Sequence, residues 1–244
     1  MEKAIWQIYA CVYDLILQKF IPYRKIIDRT LTVLSPVRGG RYLDAGCGTG
    51  NFLLALAETG QSLHLTGIDF SPAMLKRAGK KLRGKGFGAE LMVVDLNQRL
   101  PFADHFFDGI ICSNVIYAVD DPVSLVHELF RVLSRKGKLI ISTPMCEPKM
   151  LPIIKEHISH LVEEYGRVGL ALFAWQLALV ILPAIAFVLL NLMIRGNRSY
   201  HFFKRLELEI LLERSGLLVL ELDQVYGAQN WFVLAEKDFQ TGSL

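Results

Sequence analysis

The stretch RYLDAGCGTGNF, Arg41 to Phe52, constrains the fold more than any other part of the chain. A short apolar run, Tyr42-Leu43, ends in an acid, Asp44. Three glycines then alternate, Gly46, Gly48 and Gly50, and Phe52, Leu53, Leu54 and Leu56 follow at helical spacing. The pattern predicts strand, tight turn, helix. Glycine suits such a turn because it reaches backbone angles closed to other residues and lets a ligand approach the main chain. The helix start adds N–H groups without intrahelical partners. Together these features predict a nucleotide-type site.

The spacing narrows the ligand. A dinucleotide fingerprint reads GxGxxG, whereas this turn reads GxGxG, with Asn51 where the third dinucleotide glycine would stand. A second acid, Asp69, ends the next apolar run, LHLTGIDF, where a ribose diol would be held about 20 residues beyond the turn. A third, Asp95, ends AELMVVDL. Several acids and no basic residue in the turn disfavour a pyrophosphate. They fit a ligand with a ribose and a positive charge. The GxGxG spacing also disfavours a nicotinamide oxidoreductase.

At these residues the chain resembles the class I S-adenosylmethionine-dependent methyltransferases that modify small molecules and lipids, similar to the quinone and phospholipid enzymes. DAGCGTG matches the first motif of that family and GIDFSPAMLKRA the second. VVDLNQRLPFADHFFDGIICSNVIYAVDDP matches the third and fourth, and ELFRVLSRKGKLIIST the fifth. The resemblance is clear from Arg41 to Pro144. It implies an α/β, Rossmann-like, doubly wound sheet of seven strands with an antiparallel last strand. It implies S-adenosylmethionine as cofactor, held by Asp44, Ala45, Gly46, Gly48, Asp69, Phe70, Asp95, Leu96 and Ser113, with Asp69 on the ribose and Asp95 and Leu96 at the adenine. Leu100-Pro101-Phe102 would touch the adenine by apolar contact. The chain departs from the family at Tyr117-Ala118, where His-His is frequent, and at Arg135-Lys136-Gly137, where Pro-Gly-Gly is usual.

The chain has 244 residues, room for one α/β domain with insertions. A net charge of +3 is too small for a nucleic-acid binder. Cys11, Cys47, Cys112 and Cys146 are scattered, with no CxxC and no Cys/His spacing suited to a metal, so they are read as reduced thiols of a reducing, cytoplasmic compartment. The N-terminus, interrupted by Asp14, is not read as a signal peptide.

In order, the expected parts are an N-terminal helical lid over residues 1–36, a cofactor-binding core over 37–147, an apolar helical insertion over 148–205 and a return to the core over 206–237. Ala4 to Phe20 show helical spacing, either as a packed helix or as a lid turning Tyr9 and Tyr13 toward the pocket. A second helix runs from Pro22 to Leu34. Strands are expected at Leu63–Ile68, Ala89–Val94, Phe107–Ser113 and Lys138–Ser142, with helices opened by Ser71-Pro72 and by Asp121-Pro122. Lys76, Arg77, Lys80 and Lys81 read as a solvated face or as a patch for anionic lipid headgroups.

Val168 to Ile194 carry no charge and exceed the roughly 20 apolar residues that span a bilayer. After them come an expected helix, Leu206–Arg214, and two strands, Leu217–Leu222 and Trp231–Ala235, that the sheet needs beside its fifth strand. A single crossing would strand them across the membrane with unpaired edges. Pro183 divides the run, and Arg167, Arg195 and Arg198 flank it. The favoured reading is a helical hairpin dipping into one leaflet at the cytoplasmic face; a buried lid, a dimer contact and a true span are the alternatives.

Methyl transfer from a sulfonium needs alignment and exclusion of water, so the absence of a triad from the sequence is no obstacle. Tyr117, His105, Tyr9 and His201 are the candidate bases for a phenol or amine acceptor. The apolar insertion points to a lipophilic acceptor. The alternative from another class is a catalytically silent, membrane-docked binding module on the same fold.

Overall fold

Five apolar runs become parallel strands in the computed structural model, which describes residues 20–145, 149–166, 168–178 and 200–237. They are β1 (Arg41–Ala45), β2 (His64–Asp69), β3 (Glu90–Val93), β4 (Phe107–Ser113) and β5 (Leu133–Pro144). With β6 (Leu217–Val225) and β7 (Asn230–Lys237) they form one seven-stranded sheet, ordered β3-β2-β1-β4-β5-β7-β6. β7 runs antiparallel to both neighbours, so the doubly wound expectation with an antiparallel last strand holds.

The helices are α1 (Ile21–Leu34), α2 (Asn51–Glu58), α3 (Pro72–Gly84), α4 (Pro122–Val132), α5 (Met150–Tyr165) and α6 (Arg205–Arg214). The sequence signals at two of their starts are used. Ser71 Oγ accepts the Met74 N–H at 3.4 Å, and Asp121 Oδ1 accepts those of Val123 and Ser124 at 3.0 and 3.1 Å. Pro72 and Pro122 each occupy the first helical position.

The central strands read as continuous apolar runs because both sheet faces are covered. Successive side chains alternate between faces. Ile110 and Cys112 pack with Leu125, Leu129, Leu208 and Leu212 from α4 and α6. Ile111, between them, packs with Tyr23, Leu53 and Leu82 from α1, α2 and α3. Strand order reverses between β1 and β4, so a crevice opens where their carboxyl ends diverge. Open α/β sheets bind ligands at such a point.

Two elements differ from expectation. β5 begins at Leu133 rather than Lys138. Leu133 pairs with Phe107, and the register then jumps to Lys138 opposite Gly109, so the polar Ser134–Gly137 segment loops out within the strand. The insertion also begins with a charged amphipathic helix, α5, not with its apolar stretch. His157 on α5 is 2% exposed. It stacks on Phe20 at 4.7 Å, accepts the Ile21 N–H at 3.3 Å and meets Gln176 Oε1 at 2.9 Å. After Gly166 the chain is helical again over 168–178. The arms pack closely there: a Cβ on Gly169 would lie 2.2 Å from the Leu161 carbonyl oxygen. This hairpin turns near Gly166, ahead of the apolar run, and is not the one expected about Pro183. Residues 179–199, with Pro183 and most of the apolar run, lie outside the described residues, as do the Ala4–Phe20 helix up to residue 19 and the tail from Asp238. Among the described residues no helix is long and apolar enough to cross a membrane.

The connection between β3 and β4 is held by Arg131 of α4. Its guanidinium donates to both Glu128 oxygens at 2.9 and 2.7 Å, to Asp104 Oδ1 at 2.8 Å, and to the carbonyls of Phe102 and Leu100 at 2.8 and 2.9 Å. Glu128 Oε2 also accepts the Leu100 N–H at 2.8 Å. The Arg131 hydrogen bond holds the Glu128 carboxyl below its ordinary range. Arg131→Met breaks this junction and leaves Glu128 without its cation. The expected cost is about 2–4 kcal/mol, read as a lower urea midpoint at unchanged slope.

Candidate functional site

β1 delivers Asp44 and Ala45 to the carboxyl edge of the sheet, and the chain turns at once. The Gly46 and Cys47 N–H groups donate to the Ile68 carbonyl at 2.8 and 2.9 Å, which ties the turn to β2. Gly46 has φ +78°, and a Cβ there would lie 2.2 Å from Val115 Cγ2. Gly48 has φ +51°, and a Cβ there would face open space. The first glycine is required by the close approach of the segment after β4; the second keeps the turn bare on its open side.

Asp69 locks the turn from the neighbouring strand. Its Oδ2 accepts the Gly48 N–H at 2.9 Å and its Oδ1 the Ser71 N–H at 2.8 Å. One carboxylate therefore joins the loops after β1 and β2. Burial pushes its pKa up, against the opposing effect of the two N–H groups. Each oxygen keeps a second acceptor position.

Asp44 is 1% exposed, and its Oδ2 has no hydrogen-bond partner. The turn amides of Gly46, Cys47 and Gly48 go to Ile68 and Asp69, so Asp44 is not what holds the turn. Burial, and then the nearby Asp69 charge, raise its pKa to about 8. A buried acceptor left without a donor costs about 1–3 kcal/mol. Asp44 lines a pocket with Tyr23, Gly46, Cys47, Gly48, Asn51, Phe52 and Ser113. An ammonium group entering that pocket would supply the missing donor and draw the carboxyl into its charged form.

The other expected residues surround this pocket unevenly. Ala45 is buried in the core beneath the turn, and Phe70 is exposed at the end of β2. Asp95 is exposed beyond β3, where its Oδ1 accepts the backbone and side-chain N–H groups of Asn97, each at 3.0 Å. Asn97 in turn accepts the Asp120 N–H at 2.7 Å, anchoring that loop to the start of α4. Leu96 packs against the core. Leu100 and Phe102, expected against the adenine, have other tasks. Leu100 is buried in the core, and Phe102 meets Phe107 edge-on at 4.9 Å at the amino end of β4.

The candidate bases separate. Tyr117 follows β4 at the carboxyl edge and stacks on Tyr200 and Phe202 at 5.5 and 6.3 Å. Its carbonyl accepts the His201 N–H at 2.8 Å, so these two candidates meet. His105 precedes β4 and therefore lies at the amino edge, about 20 Å from the glycine turn at roughly 3.3 Å per strand residue. Its Nδ1 lies 2.9 Å from Lys237 Nζ. His105 is thus placed away from the pocket, because the loop carrying it feeds the strand rather than leaving it. Tyr9 lies outside the described residues. Among the described residues no group of three or more His, Cys, Asp or Glu could hold a metal ion.

Sequence reasoning missed Tyr23, Asn51 and Lys81. Asn51 Nδ2 donates to Tyr23 Oη at 3.1 Å, and Lys81 Nζ donates to Asn51 Oδ1 at 2.6 Å and to Thr49 Oγ1 at 3.1 Å. Lys81 is therefore not part of the solvated face, on which Lys76 and Lys80 do lie. Its spacing from buried Met74 and Ala78 was the available signal, since positions i, i+4 and i+7 share one helix face.

The family model of a methyltransferase domain matches residues 36–205, and the chain belongs to that family. It is 30% identical over 182 residues to the ubiquinone/menaquinone biosynthesis C-methyltransferase UbiE of Yersinia pestis, covering 68% of this chain and 72% of that protein. It is 37% identical over 106 residues to a phosphatidylethanolamine N-methyltransferase of Cereibacter sphaeroides, covering 43% and 50%. The matched region spans about half the length of the first curated relatives, for instance 52% of a demethylmenaquinone methyltransferase of Bacillus velezensis. The fold resembles that of a SAM-dependent methyltransferase from Aquifex aeolicus, with a TM-score of 0.60 at 19% identity over 91% of this chain and 92% of that one. S-adenosylmethionine is the cofactor of this class, and the acid-lined glycine pocket suits the ammonium group of its amino-acid end.

Asp44 also makes stability depend on pH. Its folded pKa of about 8 lies above the ordinary carboxylate value, so the folded chain holds a proton that the unfolded chain releases near pH 4. The ligand-free protein accordingly loses stability as pH rises from about 4 to 8. Asp44→Asn removes that loss. In a thermal-unfolding series the variant is expected to exceed the parent by several °C at pH 8, with the gap closing toward pH 5.

Proposed function

We propose that this chain transfers a methyl group from S-adenosylmethionine to a lipophilic small molecule or lipid. The observation that carries this reading is the buried, partnerless Asp44 Oδ2 in the glycine-turn pocket, with Asp69 tied to the same turn from β2. Asp44 receives the ammonium group of the cofactor's amino-acid end. Asp69 keeps one acceptor position on each oxygen for the ribose hydroxyls. Gly48 leaves the main chain open to the ligand. Phe70, Asp95 and Leu96 stand at the ends of the next strands, on the adenine side, and Ser113 closes the pocket from β4.

The bound cofactor supplies a methyl group already activated on sulfur. The residues of this chain hold donor and acceptor in line and keep water out, a contribution worth roughly 7–11 kcal/mol in well-oriented reactions. Tyr117, Tyr200 and Phe202 form an aromatic wall beyond β4, on the side from which an acceptor would approach. The names of the relatives, quinone and phosphatidylethanolamine methyltransferases, support a lipophilic acceptor.

The cofactor reading is tested by calorimetry with S-adenosylhomocysteine. The protein is expected to bind it in the micromolar range. Asp69→Asn, which keeps an acceptor for the turn but loses the charge, is expected to weaken binding about tenfold or more. Binding of NADH in place of S-adenosylhomocysteine would overturn the reading.

Membrane contact at the cytoplasmic face through 168–194 belongs to the same proposal. Val168, Leu170, Trp175 and Leu177 are exposed on the helical stretch 168–178, with Leu151 and Tyr165 of α5 exposed nearby in the chain. Large apolar side chains exposed on both faces of one helical stretch suit an interaction surface better than scattered single ones do. Flotation with phospholipid vesicles is expected for the parent protein and lost in Leu170→Asp/Trp175→Asp. Equal flotation of both would place membrane contact elsewhere, and no flotation of the parent would overturn the contact.

A further inference from the structure

Helix α1 begins without a side-chain cap of its own. Its N-cap residue is Phe20, which offers no acceptor, yet the first amides of a helix have no intrahelical partner. The Ile21 N–H finds one on another helix: it donates to His157 Nδ1 of α5 at 3.3 Å. A neutral imidazole that accepts at Nδ1 carries its proton on Nε2. That N–H faces Gln176 Oε1 at 2.9 Å, on the helical stretch 168–178. One tautomer of one neutral histidine therefore joins three segments of the chain.

The rings make the same junction. Phe20 stacks on His157 at 4.7 Å from the α1 side, and Phe173 meets it edge-on at 6.0 Å from the stretch 168–178. Val168, Leu170, Trp175 and Leu177 of that stretch are exposed. Phe173 and Gln176 are partly buried, and their spacing of three puts them on one helix face. Both of them meet His157. An apolar helix with so much of its surface outside is held in place by the few side chains it turns inward.

The junction has no place for a second proton on the ring. Imidazolium donates from both nitrogens, so its Nδ1–H would point at the Ile21 N–H. The start of α1 also presents the positive end of the helix dipole. Among the described residues the charged groups acting on His157 are Arg24 of α1 and His160 of α5, with no carboxylate among them, and 168–178 carry no charge. His160 itself meets Lys25 Nζ at 2.8 Å and Glu163 Oε2 at 3.1 Å. Burial, followed by Arg24 and His160, holds the imidazole below the ordinary histidine range, against the opposing effect of the Gln176 hydrogen bond.

We infer that neutral His157 is a clasp that closes the apolar stretch 168–178 onto the start of α1, and that protonation of its ring releases this stretch. A released ring takes its proton near the ordinary value of about 6.5 and the clasped ring lower, so closure is complete above that pH and weakens as pH falls below it. Two residues beyond Ile21, Tyr23 lines the Asp44 pocket, so the clasp ties the apolar stretch to the helix that walls the site. The clasp stands whether or not S-adenosylmethionine is the cofactor.

Amide hydrogen exchange reads the clasp directly, because the Ile21 N–H is one of its bonds. Between pH 7.5 and pH 5.5, after correction for intrinsic rates, opening at Ile21 and over 168–178 is expected to rise about tenfold, with β1 and β4 unchanged. His157→Gln keeps an acceptor and a donor but no titrating group, and is expected to remove the rise. A rise of the same size in the variant, or none in the parent, overturns the clasp. So does a rise shared by β1 and β4, which reports global loosening. Should the variant fail to fold, the ring of the parent decides. By NMR, His157 is expected to protonate below the ordinary histidine range and in step with the release of 168–178. Protonation at or above that range, or without release, overturns the clasp.

Discussion

One carboxylate, Asp69, joins the two loops on which the site depends. Its oxygens accept N–H groups from Gly48, after β1, and from Ser71, before α3. Parallel neighbours make this possible. β1 and β2 end at the same edge of the sheet, so an acid at the end of one reaches the turn of the other. The geometry of the glycine turn is thus set from outside the turn. An acid there serves better than a neutral acceptor because hydrogen bonds to an ionised group are roughly twice as strong. The same group, being buried and charged, raises the pKa of Asp44 and so helps create the unsatisfied carboxyl at the centre of the pocket.

The strands were legible because a sheet covered on both faces demands uninterrupted apolar runs, and the runs of β2, β3 and β4 were recognised to within a residue or two at each end. Their ends were less clear where pairing outlasts hydrophobicity. β6 continues through Glu221 and Asp223, which face Arg29 from α1, and its backbone pairs with β7 as far as Val225. The glycine turn and its acids were legible because few residue types can make such a turn. Tyr23, Asn51 and Lys81 were not recognised as a unit because they meet only through tertiary packing of three helices. A lysine on a predicted helix reads as solvated until its position relative to Met74 and Ala78 is considered. His157 was hidden in the same way, by contacts to Phe20 and Gln176 that lie far apart along the chain.

The insertion shows how topology limits hydropathy. Counting apolar residues alone favours a crossing. The sheet opposes a single one, because β7 lies between β5 and β6 and pairs with β5 from Lys138 opposite Glu236 to Pro144 opposite Asn230. The chain before the insertion and the chain after it are therefore adjacent strands. A single crossing between them would separate strands that pair. Helix α5 begins the insertion. Its buried His157 and Leu161 bind it to the domain, while Leu151 and Tyr165 remain outside. The helix that precedes the apolar run is therefore anchored to the domain.

The electrostatics of the pocket follow from these constraints. Asp44 and Asp69 place two acids at adjacent strand ends, and burial makes their joint ionisation unfavourable. Without a ligand, the strain is relieved when Asp44 holds a proton. A ligand that brings an ammonium group would relieve it too. Lys81 approaches the same turn from a helix and donates there to Asn51 and Thr49. The acids come from strand ends and the cation from a helix, so the fold brings opposite charges to one glycine turn from two kinds of element.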